Sequence, residues 1–388
     1  MRLGLKTIIY ATSIFCPAPS TSAFSTTTTR TSSLFAQERH SNNATFSTGE
    51  CASSLAHLAS SPERFAASLN MTVEQVDEAI TARRLASAKL NEQLLAMDKD
   101  NEENLTAAEI GRMKHQMICQ HRYNHFRNAF VCKKCWTFTP ICVCHLFGDA
   151  DSDENRRAPL PQGVENLIVW THHDEYGRTS NTGSLLPLGL QKTDIFMKGL
   201  LEHEQMMNEI LCRKDLTPVV LWPDKKGKRA STTIADLKQK IAETTSSSSS
   251  QNESNNNHGG IVLISIEGTW NTARKMVNKL PPHVLRLDLS DEIRLNFTMP
   301  EMNQGVFIDN SAAAASSKEQ SPSNPSLLSP LRRQGKGAKQ DNVSTLEATI
   351  VALLALGLSV DDASFILNCA RTKVKRIQEY TGKTYPRD

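Results

Sequence analysis

The chain has 388 residues, 39% hydrophobic and 22% charged, with a formal net charge of only +3. That length and balance suit one large folded domain with extensions, or two domains. The near-neutral charge excludes a polycation that coats nucleic acid, so any RNA contact must come from local basic patches. No run reaches the roughly 18 apolar residues of a membrane helix.

Residues 1–36 read as an address rather than as fold. Arg2 and Lys6 precede a short apolar stretch, Ile8 to Cys16, which Pro17 and Pro19 end. Small residues follow up to Ala23, then Phe24, a Ser/Thr tract and Arg30, with no acidic residue before Glu38. This arrangement resembles the two-part plastid presequence of algae with secondary plastids, where cleavage exposes a phenylalanine. Plastid import is therefore expected, with the mitochondrion as the alternative and no membrane segment in the mature form. Secretion fits poorly with the clustered cysteines described below, because oxidising compartments favour disulfides.

Residues 37–125 read as a connector and a helical extension. The connector is expected to be mostly unstructured to about residue 70. Thr72 and Gln75 then form a capping box for a helix to Met97, with Val73, Val76, Ile80, Leu90 and Leu94 at helical spacing. Thr106 and Glu109 start a second helix carrying Ile110, Met113 and Met117. No chemistry is legible here; a packing or partner surface is the plain reading.

Cys132 and Cys135, then Cys142 and Cys144, place four thiols within thirteen residues. A two-residue gap lets two sulfurs reach one ion around a tight turn, and the Cys-x-Cys half closes a tetrahedron. The spacing predicts structural zinc in a module over 130–146, with no ligand position left open.

Short apolar runs follow at Val164–Trp170, Pro218–Trp222, Ile261–Ile266 and Val284–Leu289, as buried strands are. Helical segments alternate with them at Thr193–Leu211, Asn271–Leu280, Ser344–Leu356 and Asp362–Tyr380. The alternation predicts an α/β fold with a mostly parallel sheet. Polar insertions at about 244–260 and 303–342 read as loops too polar to pack.

Three more motifs carry candidate chemistry. The first runs from His172 to Gly183 and follows the first strand, where a ligand of a parallel sheet is expected. Asn181 and Thr182 offer hydrogen bonds there, and Gly183 a close backbone approach. The second is Glu267-Gly268-Thr269-Trp270 at a strand-to-helix junction. Glu267 projects from the strand end, Gly268 admits a ligand, Thr269 caps the helix and Trp270 offers a flat face for a base. Arg274, Lys275 and Lys279 follow on the helix, where they can meet phosphates. The third is Ser344-Thr345-Leu346-Glu347-Ala348, a capping box whose helix start also suits a carboxylate. Taken alone, each motif also fits a self-stabilised turn, a solvated face or a plain cap.

In this order, the motifs resemble the DTW-domain family of tRNA-uridine aminocarboxypropyltransferases. The family pattern has Cys-x-x-Cys with Cys-x-Cys, then His-Pro-x-Glu into Thr-Asn-Thr-Gly. A strand ending in Tyr-Pro, then Asp-x-Thr-Trp and Ser-Thr-Leu-Glu-Ala complete it. Here these read Cys132 to Cys144, His172 to Gly183, Trp222-Pro223, Glu267 to Trp270 and Ser344 to Ala348. The departures are His173 for proline, Ser180 for threonine, Trp222 for tyrosine and Glu267 for aspartate.

The resemblance implies a DTW domain over 126–385, with a SPOUT-like fold in which the chain can be knotted. It implies transfer of the 3-amino-3-carboxypropyl group of S-adenosylmethionine to N3 of a tRNA uridine. Glu267 is then the expected general base. The implied co-substrate contacts are Asn181, Thr182, Gly183, Pro223, Gly268, Thr269, Ser344, Thr345 and Glu347. Arg178, Trp270, Arg274, Lys275 and Lys279 are the expected tRNA contacts, Arg178 alternatively meeting the carboxylate of the co-substrate. The alternatives are an RNA methyltransferase of the same fold, or a non-catalytic zinc-stabilised RNA-binding factor. The tRNA species and the oligomeric state are not legible.

Overall fold

In this computed structural model the described residues are 62–100, 105–126, 130–148, 157–222, 231–246, 259–289 and 344–381. All of them belong to one compact unit, Glu50–Asp388. The expected presequence, Pro223 and the 303–342 insertion lie outside the described residues.

Six strands form one sheet: β1 (Val164–Thr171), β2 (Thr193–Met197), β3 (Leu216–Leu221), β4 (Ser231–Thr232), β5 (Gly260–Glu267) and β6 (Leu285–Leu287). Their spatial order is β2-β1-β5-β3-β6-β4. Every pairing is parallel. The helices are α1 (Pro62–Ser68), α2 (Val73–Asp100), α3 (Ala107–His125), α4 (Leu186–Gly189), α5 (Leu201–Cys212), α6 (Ile234–Ser246), α7 (Trp270–Lys279), α8 (Thr345–Leu356) and α9 (Val360–Thr381). The fold is thus mixed α/β, as the alternation predicts.

The central strands are buried on both faces, and their alternate residues feed two cores. Leu167, Val169, Leu263 and Val219 pack on one side with Leu237 of α6, Ile350 of α8 and Ile366 of α9. Ile168, Trp170, Ile264 and Val220 pack on the other with Met207 of α5 and Met276 of α7. Each fully buried aliphatic side chain contributes about 1.5–3 kcal/mol. A strand with two dry faces must therefore be apolar nearly throughout.

The sheet order creates a switch point. The chain leaves β1 toward β2 on one side, and leaves β5 through α7 toward β6 on the other. Loops diverging from adjacent parallel strands open a crevice at the strands' carboxyl ends.

Several expectations are corrected. Thr193–Leu211 is two elements, not one helix: edge strand β2, then α5. Gly199, at φ +90°, supplies the corner between them. Two buried residues at the end of a five-residue edge strand, Phe196 and Met197, leave too little period-two signal to set it apart from the helix beyond. β4 and α6 are further elements for which the apolar runs give no signal. The connector contains helix α1, whose Phe65 and Ala66 pack with Val76 and Phe130. The 244–260 insertion is narrower than expected, because α6 runs to Ser246 and β5 begins at Gly260. The capping boxes at Thr72, Thr106 and Ser344 all form.

Candidate active site

The loop after β1 and the end of β5 are tied together by backbone. Thr171 and Glu267 are register partners, and the His172 N–H donates to the Glu267 carbonyl at 2.8 Å. Glu267 closes β5, and its carboxylate reaches the Asn181-Thr182-Gly183 turn. A methyl group placed on Gly183 would lie 3.1 Å from Glu267 Oε2 and 3.3 Å from Asn181 Oδ1. Only glycine lets the turn approach the carboxylate this closely.

Asn181 holds the turn from within. Its Nδ2 donates to the Glu175 carbonyl at 3.4 Å, and its Oδ1 accepts the Ser184 N–H at 3.3 Å. Thr182 is buried, and its Oγ1 has no hydrogen-bond partner among the described residues. An unsatisfied buried hydroxyl costs about 1–3 kcal/mol, so it is a natural handle for a bound ligand.

The third motif closes the same crevice. The Thr345 hydroxyl donates to the Ile266 carbonyl at 3.1 Å, seating the start of α8 on the end of β5. The Ser344 N–H donates to Glu347 Oε2 at 2.6 Å, and the Glu347 N–H donates to Ser344 Oγ at 3.2 Å. Glu347 is fully buried, so its carboxylate serves the cap. The amides of the first helical turn are what such a start offers an anion.

The RNA-facing candidates sit at the rim. Trp270 is 49% exposed and stands against Trp222 at a ring-centroid distance of 5.5 Å. Thr269 Oγ1 caps α7 by accepting the Thr272 N–H at 3.4 Å. A methyl group on Gly268 would lie 2.8 Å from Thr272 Oγ1, so the junction needs glycine. Arg274, Lys275 and Lys279 are exposed on α7. Arg178 already pairs with Glu175 Oε1 at 2.7 Å, so contact with an anionic ligand would have to compete with that pair.

The four cysteines come together as the spacing predicts. Cys132 and Cys144 sulfurs are 3.6 Å apart, and those of Cys135 and Cys142 are 3.5 Å apart. Tetrahedral zinc with bonds of about 2.3 Å requires sulfur separations near 3.8 Å, so the donors fit that ion. Trp136, at φ 58°, turns the knuckle, and its N–H donates to the Cys132 carbonyl at 2.9 Å. Hydrogen bonding within the cluster drives the thiols of Cys142 and Cys144 up and those of Cys132 and Cys135 down. Purified protein should hold zinc here, and Cys132→Ser should lose it with a large fall in stability. A Cys132→Ser variant that melts normally with its metal content unchanged would refute the site. Cys119 and Cys369 are buried outside the knuckle and form no disulfide.

A family model described as DTW domain matches residues 129–377. The chain belongs to the DTW-domain family. That family comprises tRNA-modifying transferases, the tRNA aminocarboxypropyltransferases. No curated protein and no solved structure matches the chain. The DTW match contains the cysteine knuckle and every motif of the crevice, while α1 to α3 precede it. None of the described helices is long and apolar enough to cross a membrane.

Sequence reasoning missed the residue that joins the zinc knuckle of the DTW domain to its crevice. Lys373 on α9 is fully buried. Its Nζ donates to the Cys135 carbonyl at 2.6 Å, to the Asn181 carbonyl, and to Ser184 Oγ at 3.1 Å. Burial pulls its pKa down to about 8, against the opposing pull of Cys135 and Glu267. A signal was present: Lys373 falls within the apolar stripe Ile366, Leu367, Ala370, Val374 and Ile377 of α9. A lysine in such a stripe must find buried acceptors or destabilise the helix packing.

Proposed function

We propose that this DTW domain transfers the 3-amino-3-carboxypropyl group of S-adenosylmethionine to N3 of a tRNA uridine. The observation that carries the reading is the meeting of the Glu267 carboxylate, the Asn181–Gly183 turn and the α8 start at one switch-point crevice. Neutral uridine N3 is a poor nucleophile, so its proton must leave as it attacks. Glu267 takes that proton while the N3–Cγ bond forms and the Cγ–S bond of the sulfonium breaks, releasing a neutral thioether. A positioned carboxylate base is worth about 10²–10⁴-fold. Orientation supplies the rest, since the γ-carbon and not the methyl must face the base.

The co-substrate would lie against Asn181, Thr182, Gly183, Gly268 and Thr269. Its carboxylate is met by the helix start at Ser344, Thr345 and Glu347. The tRNA lies over Trp270, Arg274, Lys275 and Lys279, with Arg178 at its edge. The all-parallel sheet supports a SPOUT-like reading of the fold. We further place the protein in the plastid, on the residues preceding Glu38.

Nucleoside analysis tests the activity and the address together. Plastid tRNA from a strain lacking the protein should lose an aminocarboxypropyl-uridine, with mitochondrial and cytosolic tRNA unchanged. Loss of a methylated nucleoside instead would make the protein a methyltransferase. Unchanged tRNA in all compartments, with no binding of S-adenosylmethionine, would make it a non-catalytic RNA-binding factor. The polar 247–258 and 303–342 segments are expected to be dispensable. Replacing each by a short Gly-Ser linker should leave turnover within about threefold, because polar loops of this length add little closure cost. Complete loss would show that one carries RNA contacts, with Arg332, Arg333, Lys336 and Lys339 the first to examine.

A further inference from the structure

A second group of soft donors lies away from the knuckle. His115 and Cys119 are four residues apart on α3, and therefore on one helix face. The loop after β1 brings His173 against them. Nitrogens of His115 and His173 and the sulfur of Cys119 all lie within 4.8 Å of one another. The His115 and His173 rings meet edge to face at 4.8 Å between centroids, and Cys119 Sγ is 3.7 Å from His115 Nδ1.

We propose that His115, Cys119 and His173 form a transition-metal site of the zinc class, distinct from the four-cysteine knuckle, which clips α3 to the loop after β1.

Two imidazoles and one thiolate are a donor set for zinc, with a fourth position for water. Two observations point to a ligand. His173 Nδ1 is buried and has no hydrogen-bond partner among the described residues. The other ring nitrogen, Nε2, lies 3.7 Å from Asp174 Oδ1, and that carboxylate is held by Arg122 at 2.6 Å. A carboxylate facing one nitrogen favours the tautomer protonated there, which leaves the lone pair of the other for a metal.

The backbone makes room for the cluster. A methyl group on Gly199 would lie 2.4 Å from the His115 ring and 2.5 Å from Cys119 Sγ. Binding converts the buried Cys119 thiol, pushed up to about 12, to a thiolate, and its proton leaves to solvent. The site joins the extension to the family domain: His115 and Cys119 precede the family match, and His173 lies within it.

The full chain, dialysed with excess zinc and freed of unbound metal, should hold two zinc ions. Cys119→Ser and His115→Gln should each lose one equivalent while the knuckle keeps its own. After cobalt substitution, Cys119→Ser should lose one sulfur-to-metal charge-transfer component and retain the four-thiolate spectrum. Should Cys119→Ser fail to fold, His173→Asn, at a partly exposed position, decides the matter by the same count. Equal zinc content in wild type and the folded variants, or an unchanged cobalt spectrum, would overturn the proposal. The knuckle is tested separately by Cys132→Ser.

Discussion

Glu267→Gln should slow single-turnover transfer by about 10²–10⁴-fold with S-adenosylmethionine affinity within a few-fold of wild type. The amide keeps the size of the side chain and the contact with Gly183, but it cannot accept the N3 proton. Glu267→Asp should retain substantial activity, since it restores the family residue and keeps a carboxylate one methylene shorter. Two measurements separate the base from a merely binding role: cofactor affinity by titration and the single-turnover rate on both variants. If Glu267 only positions the co-substrate, affinity falls first and the rate at saturation survives. Unchanged chemistry in the glutamine variant would remove Glu267 from the mechanism.

Lys373→Met should destabilise the domain by about 2–4 kcal/mol. The apolar side chain fills most of the volume but leaves the Cys135 carbonyl, the Asn181 carbonyl and Ser184 Oγ without their shared donor. Each buried group so deprived costs about 1–3 kcal/mol, offset in part by no longer burying an ammonium. The change also removes a cation beside a thiolate cluster that remains anionic when it holds zinc. Zinc affinity should therefore fall with stability, and the Asn181–Gly183 turn should loosen, raising the KM for S-adenosylmethionine more than it lowers kcat. Denaturant unfolding and a zinc-competition titration read the first two effects. A midpoint shift within experimental error would show that Lys373 is not the clasp between knuckle and crevice.

The features legible in the sequence are those whose causes lie within one short window. A capping box needs two side chains three residues apart, and those at Thr72, Thr106 and Ser344 all form. The Cys-x-x-Cys and Cys-x-Cys spacings bring four sulfurs to one point because the chelate loops are short. The central strands β1 and β5 announce themselves because strands buried on both faces must be apolar throughout. The edge strand β2 buries too little to do so, and its sequence runs on into that of α5 without a local break except Gly199.

What the tertiary structure alone decided is which of these local features meet. Glu267, Gly183 and Thr345 read as three separate motifs, each with a bland explanation. They become one site only because β5 inserts beside β1 and the chain leaves the two strands in opposite directions. Lys373 reaches acceptors 192 and 238 residues away in sequence, and His173 meets His115 and Cys119 across the boundary of the family match. Such contacts rest on long-range strand pairing and helix docking, whose energy comes from burying whole faces. No short window of sequence contains both sides of a buried face, so it names the parts of this crevice without naming their partners.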